Sequence, residues 1–142
     1  MKENIELLNF IYQKAKMGLI GIENIKPNIK NEKILKIVKA QEKNYFLICN
    51  TSTDYLNSMK EERKDISNIA KVMNLIDVRI STMNDNSSSN IAKTIIISNN
   101  QNVIYIQEKI NKYQGKSKRI INLAKRLLQI EKRNIENLEK YL

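Results

Sequence analysis

At 142 residues, with 25 Lys and Arg against 15 Asp and Glu and a formal charge of +10, the chain is long enough for one domain spanning 1–142 that buries about two thirds of its unfolded surface without a stapling disulfide or metal. It has no histidine and one cysteine, which removes the commonest neutral general base and the commonest nitrogen ligand for zinc or iron and gives no sign of an oxidising compartment. No Gly-rich phosphate loop, zinc pattern or strand-turn-helix fingerprint is present.

The first helical pattern runs from about Asn4 to Ile25, with Ile5, Leu8, Ile11, Tyr12, Ala15, Leu19 and Ile22 on one side. Gly18 and Gly21 weaken its second half yet permit close helix contact. Glu6, Lys14 and Lys16 break up its apolar residues, so the expectation is a cytoplasmic protein with neither a secretory signal nor a membrane span. Lys26-Pro27-Asn28 ends the helix, because the residue before proline is pushed out of the helical region. The brief link that follows makes the first two helices antiparallel neighbours.

The second helix spans about Asn31 to Met59. Its inward stripe reads Leu35, Val38, Glu42, Tyr45, Cys49, Ser52, Leu56 and Met59. Cys49 on this stripe reads as a small buried hydrophobe. Thr51, Ser52, Thr53 and Asp54 compete for backbone hydrogen bonds and loosen the helix locally.

After it, Asp65 or Ser67 caps a short helix carrying Ile69, Val72, Met73 and Ile76, and 83–90 is a polar turn. About thirty residues of this kind can travel the length of a bundle, which allows the third helix to run parallel to the second.

The third helix is expected from a Ser89 cap to Tyr113, with Ala92, Ile95 or Ile96, Asn99, Val103, Ile106 and Ile110 inward. Its β-branched density keeps a strand open as an alternative. Gln114-Gly115 is a turn and Ser117 a cap. The fourth helix then points Ile120, Ala124, Leu127, Glu131, Asn134, Leu138 and Tyr141 inward.

Heights along the helices place Glu42 and Tyr45, Asn99, Glu131 and Asn134, and either Gln13 or Lys16, in one layer, with Glu42 roughly 16 Å from the start of its helix. Such a layer reads as a polar core layer of Lys16, Tyr45, Asn99 and Asn134 around the two carboxylates, with Glu42 or Glu131 facing solvent as the alternative. A cation or a network of donors would offset the repulsion between them, and the layer would fix the register of the bundle.

A four-helix bundle with a long, helix-containing connection between helices two and three, a Glu-x-x-Tyr on helix two (Glu42, Tyr45) and a Glu-x-x-Asn on helix four (Glu131, Asn134) resembles the ferritin-like fold. The segments MGLIGIENI, QEKNY, DNSSSNIAKTIIISNNQNVIYI and IEKRNIENLEKYL are similar to small ferritin-like proteins of clostridia and their relatives, over approximately Leu8 to Leu142. The resemblance implies Glu42 and Glu131 as metal ligands for iron or manganese. Tyr45 and Asn134 stand where metal-binding members carry histidine, and helices one and three offer no glutamate at the matching places. Two carboxylates without imidazole are a degenerate site, short of the four carboxylates and two histidines of a di-iron bundle.

Three functional expectations follow. The first is a noncatalytic ferritin-like bundle acting through association with itself or a protein partner, and the second a metal-binding oxidoreductase or storage protein with an altered carboxylate site. The third is nonspecific nucleic-acid binding through 109–133, where nine basic residues face one acid. There Lys118, Arg119, Lys125 and Arg126 could reach successive phosphates. Against the third, the chain holds 20 lysines but 5 arginines, and arginine is the residue suited to bidentate phosphate and guanine contacts. The basic face then reads as a solvated surface of an A/T-rich coding sequence.

Overall fold

A computed structural model describes residues 2–63 and 86–142. The fold is an all-α four-helix bundle, with α1 at Lys2–Ile25, α2 at Glu32–Ser58, α3 at Ser88–Lys112 and α4 at Lys118–Leu138. The helical reading of 94–106 holds against the strand alternative. The short helix expected from Asp65 or Ser67 lies outside the described residues.

The ends of α2, α3 and α4 lie where local chemistry satisfies free backbone groups. The side chain of Asn31 accepts from the amides of Lys33 and Ile34 at 2.9 and 3.2 Å. Ser117 accepts from the Ile120 amide at 3.3 Å. Ser87, rather than the expected Ser89, caps α3 by accepting from the Asn90 amide at 3.3 Å, so 88–90 of the expected polar turn are helical, while 83–85 lie outside the described residues. At the other end of α2, the amides of Lys60 and Glu61 return to the carbonyls of Asn57 and Leu56, both at 3.0 Å. Lys60 takes the left-handed conformation, φ 58°, that this type of helix end requires. No break occurs at 51–54. Thr51, Ser52 and Thr53 fold their hydroxyls back onto carbonyls of the preceding turn at 2.8–3.0 Å, which satisfies them inside the helix.

Contacts between helices set their directions. Gly18 meets Tyr45 and the Tyr12 carbonyl meets Cys49, so α1 and α2 are antiparallel. Lys14 lies over the Tyr105 ring and Lys109 over the Phe10 ring, so α1 and α3 are antiparallel too. It follows that α2 and α3 run parallel, as the length of their connection allows. Tyr45 with Glu131 and Tyr55 with Arg119 make α4 antiparallel to α2. The most extensive packing joins α1 to α2 and α3 to α4, and α2 against α4 brings the two hairpins together.

The core is aliphatic above and below its centre. Leu8, Ile11, Ile34, Leu56, Ile91, Ile106, Leu127 and Leu138 are fully or almost fully buried, each contributing roughly 2 kcal/mol of transfer free energy. Near the middle the composition changes. Buried polar side chains there include Gln41, Asn99, Glu131 and Asn134.

Candidate functional site

The centre of the bundle is organised by Gly18 and Tyr45. A Cβ on Gly18 would lie 2.6 Å from Cε2 of Tyr45, so the glycine leaves α1 without a side chain where the tyrosine ring packs. The ring is 3% exposed. Its hydroxyl donates to Glu131 Oε1 at 2.8 Å and accepts from Asn134 Nδ2 at 3.3 Å. Asn102 Nδ2 donates to the same carboxylate oxygen at 3.4 Å. Three helices thereby converge on one carboxyl group, and α1 adds the half-buried Lys14.

Electrostatics at this point follow from burial. Glu131 has no exposed surface, and loss of hydration raises its pKa to about 7 against the lowering effects of the Tyr45 and Asn102 hydrogen bonds and the Lys14 charge. Burial also lifts the Tyr45 phenol, and the Glu131 charge adds to that rise. Burial pushes the Lys14 amine down, with Glu131 acting in the opposite direction. Near neutral pH Glu131 therefore lies in its titration range rather than fully ionised. Glu131 Oε2, Gln41 Nε2 and Asn99 Nδ2 are buried without a hydrogen-bond partner, and a protonated Oε2 is a neutral hydroxyl, which is less costly to bury than a bare anion.

Tyr45, Asn99, Glu131 and Asn134 are inward, as the helical spacing requires. Glu42 is not. Gln41 takes the buried position between Val38 and Tyr45, and one residue of helix turns Glu42 about 100° away from it. The Glu42 carboxylate accepts both of its contacts from Lys26 Nζ, at 3.1 and 3.0 Å, with side chains 34% and 29% exposed. Replacing Glu42 with glutamine is expected to change stability by no more than about 0.5 kcal/mol, as for other solvent-screened pairs. A urea midpoint for the variant beside the parent checks this.

Lys16 is half-buried on α1 and is not among the charges that act on Glu131. Its charge acts on Cys49, whose buried thiol is raised to about 11 mainly by desolvation, as expected of an inert packed cysteine. Lys14 is the cation that reaches Glu131.

A two-metal centre of iron or manganese does not fit these residues. Glu42 is held by Lys26 and Glu131 by Tyr45 and Asn102, so the two carboxylates share no partner. Among the described residues no three His, Cys, Asp or Glu side chains are grouped to hold a metal ion.

Sequence spacing missed Lys14, Gln41 and Asn102. Asn102 carried a signal, since it lies one turn from Asn99 on the same side of α3. The basic residues Lys118, Arg119, Lys125 and Arg126 are all exposed on α4, and the Arg119 guanidinium stacks 3.8 Å from the centre of the Tyr55 ring. No helix among the described residues is long and apolar enough to cross a membrane. In comparisons with known proteins, the chain matches no family model, no curated protein and no solved structure.

Proposed function

We propose that this chain is a noncatalytic, ferritin-like bundle that works by association with itself or with a protein partner. The observation that carries the reading is the Tyr45 ring packed against Gly18 with its hydroxyl on Glu131. Tyr45, Glu131 and Asn134, which a bundle of this topology would present to a cofactor, are hydrogen-bonded to one another, and on this reading their role is to specify register. The antiparallel hairpins joined by a parallel α2–α3 connection support the ferritin-like topology.

Association has a surface to use. Phe46 and Leu47 on α2, and Ile104 and Tyr105 on α3, are 46–57% exposed, enough for adjacent apolar pairs on each helix to meet a partner. A charge of +10 opposes contact between like copies at low salt. Self-association is therefore expected to strengthen as salt screens that charge.

Sedimentation equilibrium at about 50 μM protein, in low and high salt, tests the self-association. The expected result is a salt-promoted oligomer that a Phe46→Asn, Ile104→Asn variant does not form. A strict monomer under both conditions removes self-association and confines the reading to a protein partner. The noncatalytic part is tested by native mass spectrometry after anaerobic Fe(II) loading. No iron above that of Glu131→Gln is expected, and stoichiometric iron lost in the variant would overturn the reading.

A further inference from the structure

The side of the bundle between α2 and α4 carries a cleft of about 380 Å³. Apolar lining comes from Ile37 and Ile130, and cationic lining from the exposed Lys36 and Arg133. Two buried amides, Gln41 and Asn134, complete the set that bears on its chemistry.

Gln41 is the informative member. Its side chain is 2% exposed and its Nε2 has no hydrogen-bond partner. A buried amide donor left unbonded is costly, while an acceptor that reaches it adds a bond without first stripping bulk water from that donor. Lys36 and Arg133 sit at the same cleft. Arginine presents a planar fork that matches a carboxylate. An inorganic or phosphate dianion would leave the apolar lining unused. A monoanion with a compact hydrocarbon body uses the donors and the isoleucines together.

We propose that the α2–α4 cleft, with Gln41 and Arg133 as its recognition residues, binds a small organic carboxylate. Asn134 links this cleft to the bundle centre, because its Nδ2 donates to the Tyr45 hydroxyl that in turn holds Glu131. The proposal is independent of the association reading, which can fail or hold without it.

The test is a titration of the folded ¹⁵N-labelled full chain with benzoate, alongside benzamidine and inorganic phosphate at matched ionic strength, followed by NMR. Benzoate is expected to bind saturably at or below about 10 mM, moving the Gln41 and Asn134 side-chain amides. Arg133→Met is expected to weaken it by about tenfold or more, the loss typical of a hydrogen bond to a charged group. Gln41→Leu separates recognition from packing. It removes the unbonded donor, so the variant is expected to be at least as stable as the parent in urea and yet to bind benzoate more weakly. Absence of saturable benzoate binding, benzoate binding unchanged in a folded Arg133→Met protein, or equal binding of benzamidine would each overturn the proposal. Tighter binding of phosphate than benzoate would do the same by identifying a general anion site.

Discussion

Gly18→Val is expected to lower the stability of the bundle by about 3 kcal/mol, combining overpacking of a filled core with loss of a buried hydrogen bond. Even one added carbon lands 2.6 Å from the Tyr45 ring. The ring has little room to yield, since Glu131 and Asn134 hold its hydroxyl from the other side. For a chain of this size such a loss corresponds to a melting point lower by about 10 °C. A double-mutant cycle isolates the cause. Gly18→Ala is expected to destabilise the parent, but to stabilise a Tyr45→Leu background by up to about 1 kcal/mol, because alanine is the better helix former once the ring is gone. Additive effects in that cycle would mean that Gly18 serves something other than the tyrosine.

Glu131→Gln is expected to reverse its effect with pH. The carboxyl titrates near 7 in the folded bundle and near its ordinary 4.5 when unfolded. Between those values the folded state holds a proton that the unfolded state has released, so stability falls as pH rises through this window and levels off above about 7. The loss amounts to roughly 3 kcal/mol at 1.36 kcal/mol per pKa unit. Glutamine cannot ionise, and its carbonyl still accepts from Tyr45. The variant should therefore be more stable than the parent at pH 8 and no more stable at pH 4.5. Lys14, whose amine is lowered by burial, adds the opposite slope on the alkaline side, below its ordinary 10.5. Urea denaturation of both proteins across pH 4.5–8 checks the difference. Parallel curves would mean that Glu131 is ionised throughout and its charge compensated.

The helices were legible because their signals are local. Ser117 is a cap by its side-chain chemistry, and the α4 stripe from Ile120 through Glu131 and Asn134 to Leu138 repeats at helical spacing with no competing candidate. The parallel α2–α3 arrangement was allowed by the length of their connection but not required by it. The polar centre was only half legible. Gln41 and Glu42 lie three and four residues after Val38, and both positions satisfy an inward stripe. The choice is made by the cost of burying a charge and by Lys26, a partner supplied from the link between α1 and α2. Height along α1 pointed to Gln13 or Lys16, but height leaves rotation about the helix axis open, and Lys14 is the residue turned toward Glu131. Gly18 was readable as a site of close contact. That the contact is Tyr45 depends on the offset between α1 and α2, which no single helix encodes.

A protonatable carboxyl enclosed by Tyr45, Asn102 and Asn134 at the centre of the bundle can be observed directly by following glutamate side-chain carbons with ¹³C NMR from pH 4 to 9. One carboxyl carbon is expected to titrate near 7, to be missing from Glu131→Gln, and to keep its midpoint when manganese is added. If every glutamate titrates in the ordinary range near 4.5, Glu131 is ionised in the folded bundle, and if manganese shifts the Glu131 midpoint downward the carboxylate binds metal; either result contradicts a protonated, structural centre.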